Sequence, residues 1–403
     1  MRNFVVKCAG RLYPLFFTSV FGNRTFTPTM RIAINARFLL PGKLEGLGHY
    51  THEIVRRMVQ QHPEDEFLLL FDRAYDQQFV YGPNATPKVV FPPARHPLLW
   101  ITWFETSLPF ALERWKPDVF FSPDGYVSLR SKVPTLVTMH DVLPLRHPEL
   151  LPRAVGTYYR YFMPRFARRA EKIATISDYV RHDIADACKV SEDKIEVVYN
   201  GCRNGFKPLN DAEQQHVRDV FAEGDPYFFY TGAIHPRKNV HRLIWAFDAF
   251  KKQSGSQVRL LLAGRFAWKT DEVKTAYEQS AYKNHIRFLG YVPETDLQNL
   301  TASALAMCLV SLNEGFGLPI VEAFNTDTPV LVSNVSALPE IAGDAALLVD
   351  PLDENAIAGS MMRLLEEKDL RRDLIEKGRA RRKDFSWDQA AEELYEMLRS
   401  LNP

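Results

Sequence analysis

Two glutamates, Glu314 and Glu322, bracket the turn in "SLNEGFGLPIVEAF", residues 311–324. The apolar run "ALAMCLV" (304–310) precedes it and a helical pattern follows. Pro319 suits the first helical position, where its fixed φ fits and an N–H would have no intrahelical acceptor. Gly315 and Gly317 let the backbone approach a ligand closely. The N–H groups near Phe316 to Leu318 would then face an anion, as helix N-termini do. No Lys-Ser/Thr follows, so this is not a Walker loop. Glu322 falls about one turn inside the helix, on the ligand side, where it could accept hydrogen bonds from sugar hydroxyls. Glu314 lies in the loop, facing whatever extends past the phosphates. An acid complementing the helix dipole is the plainer alternative for one of the pair. That alternative does not require Gly-Phe-Gly.

Arg237 and Lys238 follow the run "YFFYTG" (227–232) and precede another helical pattern. Two cations at a helix start oppose the macrodipole, which invites a ligand. Arg as a fork and Lys as a point charge could hold a pyrophosphate. A solvated basic turn is the other reading. His140-Asp141 ends the run "PTLVTM" (134–139). A histidine there could line a cleft, or be a satisfied structural residue. Gly46 and Gly48 sit in "EGLGHY" (45–50), where they would let the loop close on a phosphate or sugar. The full G-x-G-x-x-G/A spacing is not met, since Thr51 takes the last place.

All these residues lie just beyond a short apolar run, and open α/β sheets bind ligands outside the carboxyl ends of their strands. From Met30 such runs alternate with helical segments. The strands are expected at 31–35, 66–71, 88–91, 118–122, 134–139, 172–177 and 195–199. After a turn-rich stretch, 200–211, they resume at 227–232, 258–264, 286–292, 304–310, 329–333 and 345–350. This predicts an α/β protein with two Rossmann-like halves, 30–205 and 206–385. Residues 1–29 read as an extension outside the fold. At 386–403 an amphipathic helix is expected, with Trp387, Ala390, Ala391, Leu394, Tyr395 and Leu398 near one face.

The 403 residues carry a net charge of +1, which gives no global basic field for nucleic acid. No run of about 18 apolar residues is present, so no segment reads as a membrane-spanning helix. Cys8, Cys188, Cys202 and Cys308 form no C-x-x-C pair and no zinc spacing. Scattered thiols suit a reducing cytosol.

Taken together these stretches resemble the glycosyltransferase family 4 enzymes, which have a GT-B fold. "EGFGLPIVE" looks like that family's signature of two glutamates separated by seven residues. "TGAIHPRKNVHRLIWAF" resembles its donor-phosphate segment. "HD" (140–141), "TISDYVRHDI" (175–184), "VVYNG" (197–201), "FLGYVP" (288–293) and "SALPEIAGDAALLVDP" (336–351) follow in the family's order. "GLGHY" and "HDVLPLRHPE" look most like a bacterial mannosyltransferase subgroup of polysaccharide and O-antigen assembly. The "EGLG" loop departs from the paired glycines of many members.

The resemblance implies two domains facing across a deep cleft, with 30–205 binding the acceptor and 206–385 the nucleotide sugar. The C-terminal helix would pack across them. Arg237 and Lys238 would bind the donor diphosphate and stabilise the leaving nucleotide. Glu322 would bind the ribose and Glu314 the donor sugar, with Gly315, Phe316, Gly317 and Leu318 beside sugar and phosphates. His140 would stand at the reaction centre. Gly46 and Gly48 would form the flexible phosphate-side loop, Gly232 would border the donor, and Tyr291 and Val292 would lie near the base. The implied reaction is retaining hexosyl transfer, best matched by GDP-mannose, to a glycan or lipid-linked acceptor. It needs no cofactor, and no D-x-D-like metal motif lies in a suitable loop. A UDP-sugar enzyme of the same fold, or a catalytically silent nucleotide-sugar-binding protein, is the alternative. A nicotinamide dehydrogenase lacks the proper glycine fingerprint. The basic, aromatic segment 151–172 could rest on the inner face of an anionic membrane, or be an ordinary helix with a solvated face. The expected location is cytoplasmic.

Overall fold

The computed structural model describes residues 29–42, 44 and 46–402. Apart from Thr29, the expected N-terminal extension lies outside the described residues, as do Cys8 and Glu45. Among the described residues thirteen strands form two sheets, and every pairing is parallel. The first holds β1 (Arg31–Asn35), β2 (Glu66–Phe71), β3 (Ala85–Val89), β4 (Val119–Ser122), β5 (Thr135–Thr138), β6 (Lys172–Thr175) and β7 (Ile195–Val197), in the order β3-β2-β1-β4-β5-β6-β7. The second holds β8 (Tyr227–Thr231), β9 (Arg259–Ala263), β10 (Ile286–Gly290), β11 (Ala306–Leu309), β12 (Val330–Ser333) and β13 (Leu347–Val349), in the order β10-β9-β8-β11-β12-β13. Each sheet switches direction beside its first strand, between β1 and β4 and between β8 and β11. Such switch points open a crevice at the strand ends.

Most expected strands fall where their apolar runs are. β3 is a correction: it runs from Ala85 to Val89, upstream of the expected 88–91. Pro87 within it argues against a strand, but β3 is an edge strand, where a missing N–H costs no ladder bond. The central strands are apolar on both faces because helices cover both sides. β4, β5, β11 and β12, for example, are buried along their whole length.

The C-terminal helix Trp387–Arg399 leaves the second domain and packs on the first, against the helix Leu47–Gln61 and near β4 and β5. Its expected stripe, Trp387, Ala390, Ala391, Leu394, Tyr395 and Leu398, is buried. Full burial of one such leucine is worth about 1.5–3 kcal/mol. Tyr395 Oη donates to the buried Asp65 carboxylate at 2.7 Å, and Asp65 also accepts the Met30 N–H at 2.7 Å. The helix thereby joins the far end of the chain to the start of β1. No helix among the described residues is long and apolar enough to cross a membrane.

Candidate functional site

β8 and β11 are neighbours, so the loops that leave them meet at the second domain's switch point. After β8 and Gly232 comes the short turn Pro236–Lys238, and then Asn239 in the left-handed region at φ 57°. The buried Asn239 amide donates to Val310 O at 3.0 Å and Pro351 O at 2.7 Å. Those bonds fix the start of the helix Val240–Ser254 against the ends of β11 and β13. Arg237 and Lys238 are thereby held over the loop after β11.

Glu314 lies between the two cations. Its Oε2 accepts from Arg237 Nη1 at 2.9 Å and its Oε1 from Lys238 Nζ at 2.5 Å. Arg237 Nη1 also donates to Asn313 O. Burial alone pushes the Glu314 carboxyl up, but Lys238 and Arg237 together outweigh it and hold the pKa at about 2. One carboxylate against two cations leaves the trio net positive, the balance a diphosphate would complete.

Gly317 precedes the helix Leu318–Asn325 at φ 99° and supplies no side-chain cap; Pro319 has no N–H and the Ile320 N–H donates to Gly317 O at 2.9 Å, so the Leu318 N–H is the first-turn donor left to face a ligand. Pro319 is the second residue of that helix, one place later than expected. Glu322, on the same helix, is buried. Its Oε1 accepts from Arg203 Nε at 2.7 Å, and its Oε2 has no partner. A buried acceptor left unsatisfied costs about 1–3 kcal/mol, more when charged. A vicinal diol could supply the missing donor.

The first domain closes the cleft from the ends of β5 and β6. His140 is neutral: burial lowers its pKa, overcoming the Pro123 carbonyl at 2.9 Å from Nε2. The carbonyl can only accept, so Nε2 carries the proton and Nδ1 is the acceptor. Tyr50 packs edge-on to the ring, with centroids 4.5 Å apart. A Cβ on Gly315 would lie 2.9 Å from His140 O, so only glycine allows the two domains this approach. Ser177 Oγ donates to Gly315 O at 2.7 Å, and Asn313 Nδ2 to Tyr179 Oη at 2.7 Å. Glu340, on the short helix Leu338–Ala342, accepts the Asp178 and Tyr179 N–H groups and the Tyr199 hydroxyl.

The structure thus gathers His140, Arg237, Lys238, Glu314, Gly315 and Gly317 in one cleft, with Phe316 and Leu318 in the same turn and Glu322 on the helix below. Gly46 is exposed at the turn into the helix Leu47–Gln61. Gly48 departs from the expected ligand-facing loop. It is buried, and a Cβ there would meet Phe38 O at 2.7 Å, so close packing accounts for this glycine. Tyr291 and Val292 follow β10 at the edge of the second sheet, and Tyr291 is 83% exposed. Arg203, Asn239 and Glu340 had no role assigned from sequence. Asn239 was legible as the residue joining "PRK" to a helix. Arg203 sits in a stretch that reads as a linker, and Glu340 inside a helix start. Among the described residues, no three His, Cys, Asp or Glu side chains gather as metal ligands. Cys188, Cys202 and Cys308 are free thiols.

Residues 44–203 match the family model "Glycosyltransferase Family 4" and residues 211–381 match "Glycosyl transferases group 1". The chain is 30% identical over 357 residues to O-antigen chain mannosyltransferase B of Escherichia coli, covering 86% of this chain and 93% of that one. It is 30% identical over 222 residues to the O-antigen chain mannosyltransferase RfbU of Salmonella typhimurium, covering 55% and 58%. In fold it is similar to the sucrose-phosphate synthase of Thermosynechococcus elongatus (TM-score 0.74, 18% identity, 92% and 99% covered). It is also similar to Anabaena HepE, crystallised with UDP and glucose (TM-score 0.71, 18% identity, 92% and 100% covered). With its two facing parallel-sheet domains and a near-full-length relative at this identity, the chain belongs to the family 4 glycosyltransferases of GT-B fold.

Proposed function

We propose that the chain is a retaining, metal-independent mannosyltransferase that moves mannose from GDP-mannose to a glycan or lipid-linked glycan in cell-surface polysaccharide synthesis. The observation that carries this reading is the buried Glu314 held between the half-buried Arg237 and Lys238 at the mouth of the helix Leu318–Asn325. Breaking the anomeric C–O bond sends its electron pair to the departing diphosphate. Two cations and a helix start are suited to receive that charge with no metal ion. The acceptor oxygen bonds to the anomeric carbon from the face the phosphate leaves, and the acceptor's proton goes to the departing phosphate oxygen. Glu322 takes the ribose hydroxyls with its free oxygen, Glu314 contacts the donor sugar, and neutral His140 stands at the reaction centre. No cofactor beyond the donor enters this scheme. The choice of mannose and of an O-antigen-like product follows the names of the two relatives.

The same reading puts the enzyme in the cytoplasm, on the inner face of the membrane. The helix Arg153–Arg169 offers a narrower basic face than its sequence implies. Arg168 donates to Cys188 O, Arg169 pairs with Glu171, and Lys172 pairs with Glu196. Arg153, Arg160, Arg168 and the 52% exposed Tyr161 form the outward stretch.

The test is a melting-temperature titration with GDP-mannose, UDP-glucose and UDP-galactose, followed by turnover with a mannoside acceptor. A ligand that binds the native state raises stability by RT ln(1 + [L]/Kd). A clear upward shift with GDP-mannose, and release of GDP during transfer, is the expected result. A shift with a UDP-sugar alone would overturn the donor, and binding without turnover would favour a silent binding protein.

A further inference from the structure

The helix Trp387–Arg399 opens against the first domain. Ser386 caps it, its Oγ accepting the Gln389 N–H at 3.4 Å, which makes Trp387 the first helical residue. The Trp387 side chain is buried. Its indole meets the Tyr50 ring with centroids 5.9 Å apart and planes at 69°, and it lies near-parallel to His49 at 6.2 Å and 21°. It also packs on the chain that crosses from β7 to the second domain. A Cβ on Gly201 would lie 2.3 Å from Trp387 N and 2.6 Å from its Cγ. The indole is therefore fixed from two elements, the helix Leu47–Gln61 and the crossing chain.

Tyr50 passes that contact on to His140. The phenol ring stands at 87° to the imidazole with centroids 4.5 Å apart. That is the close end of the roughly 4.5–7 Å over which perpendicular ring pairs are favoured. The Tyr50 hydroxyl is engaged at Thr138 Oγ1, 3.1 Å away. Burial pushes the phenol pKa well above its ordinary value, so Tyr50 stays neutral and offers the reaction no proton. What it contributes is the position of its ring. His140 needs such a contact. The bond between Nε2 and Pro123 O, at 2.9 Å, fixes one ring atom. One hydrogen bond leaves the imidazole free to tilt about that atom, and the tilt decides where Nδ1 points. The perpendicular phenol removes the tilt. Apolar packing alone does not call for tryptophan at 387: its Nε1 is buried without a hydrogen-bond partner, a cost that leucine or phenylalanine would avoid. The width of the indole lets one side chain pack against Tyr50, His49 and Gly201 together.

We propose that Trp387 and Tyr50 are positioning residues for His140: the last helix of the chain, arriving from the second domain, sets the orientation of the imidazole through the Tyr50 ring. This rests on the reading that places His140 at the reaction centre, and not on which nucleotide sugar is the donor.

The experiment is a double-mutant cycle on the full chain, using the nucleotide sugar selected by the melting titration and a mannoside acceptor. Trp387→Leu lowers kcat about tenfold or more while the donor KM moves less than twofold, because a misplaced reacting group slows the chemical step. Gly201→Ala, whose new Cβ meets Trp387 first, does the same. Tyr50→Leu lowers kcat likewise, and Tyr50→Phe, which keeps the ring, recovers most of the loss. In a His140→Ala background, itself slower by about 10²-fold, Trp387→Leu and Tyr50→Leu cost no further kcat, because the group they position is gone. Melting temperatures measured in parallel fix the folded fraction, so that kcat is counted per folded enzyme. Where Trp387→Leu does not fold, Gly201→Ala and Tyr50→Leu carry the cycle. A kcat loss of equal size with and without His140 is ordinary core damage and overturns the inference, as does wild-type kcat in the folded variants of Trp387, Gly201 and Tyr50. Wild-type kcat in His140→Ala overturns instead the placement of His140 at the reaction centre, and a wild type that turns over no nucleotide sugar overturns the glycosyl-transfer reading; either takes this inference with it.

Discussion

The Glu340 carboxylate of the second domain accepts the Asp178 N–H of the first at 2.7 Å. Its other oxygen accepts the Tyr179 N–H at 3.1 Å. These donors open the helix Asp178–Cys188, so an anion from one domain caps a helix of the other. The same short stretch grips the site: Glu314 N donates to Ser336 Oγ at 3.0 Å, and Ala337 N to Glu314 O at 3.2 Å. The tie between the domains therefore also sets where Glu314 stands.

Glu340→Ala should lower stability by about 1–2 kcal/mol, as the loss of a charged helix cap does. It should also lower kcat, because it cuts the tie that holds the stretch anchoring Glu314 against the first domain. Urea unfolding with steady-state kinetics checks this. Wild-type stability together with wild-type kcat would remove the tie.

Lys238→Met tests the charge balance around Glu314. In the wild type that carboxyl has a folded pKa of about 2, below its ordinary 4.5. The unfolded chain therefore binds more protons between these values. The stabilisation is complete above 4.5 and is lost as pH falls toward 2. Without Lys238 the folded pKa rises, the acid side of the stability curve flattens, and kcat falls by about 10²–10³. Denaturation at pH 3 and pH 7 and a pH–rate profile read these effects. An unaltered acid limb would show that Lys238 does not control the carboxylate.

Arg203→Met leaves the buried Glu322 carboxyl without its partner. Removing one partner of a fully buried pair costs about 3–5 kcal/mol. Arg203 keeps 23% of its side-chain exposure, so about 2 kcal/mol is expected. Glu322→Gln should be milder for stability and should raise the donor KM about tenfold, if a charged acceptor serves the ribose. A donor KM within twofold of wild type would take Glu322 out of donor binding.

The glycines separate two kinds of constraint. Gly315→Ala puts a Cβ 2.9 Å from His140 O, on the other domain, so its effect should appear in turnover, about tenfold or more, as the domains part. Gly48→Ala puts one 2.7 Å from Phe38 O inside the first domain, so its effect should appear in stability, about 1–3 kcal/mol. Melting temperatures and kcat measured on both variants distinguish the cases. Equal stability losses with no difference in kcat would contradict the division.

Much of the architecture was legible in the chain. Apolar runs mark the strands because a parallel sheet covered on both faces must be apolar along its length, which is a local property. The Gly-Phe-Gly turn and the Pro-Arg-Lys segment were readable for the same reason: helix starts and strand ends carry local rules. β3 was misplaced because Pro87 is acceptable only on an edge, and position in the sheet is not a local property. Partnerships were beyond reach. Arg203 and Glu322 lie 119 residues apart, and Glu340 and Asp178 lie 162 apart. Nothing in either segment indicates its partner. Only the packing of two sheets about one cleft brings those charges together, because an ion pair is decided by distance in space, and distance in space by the tertiary fold.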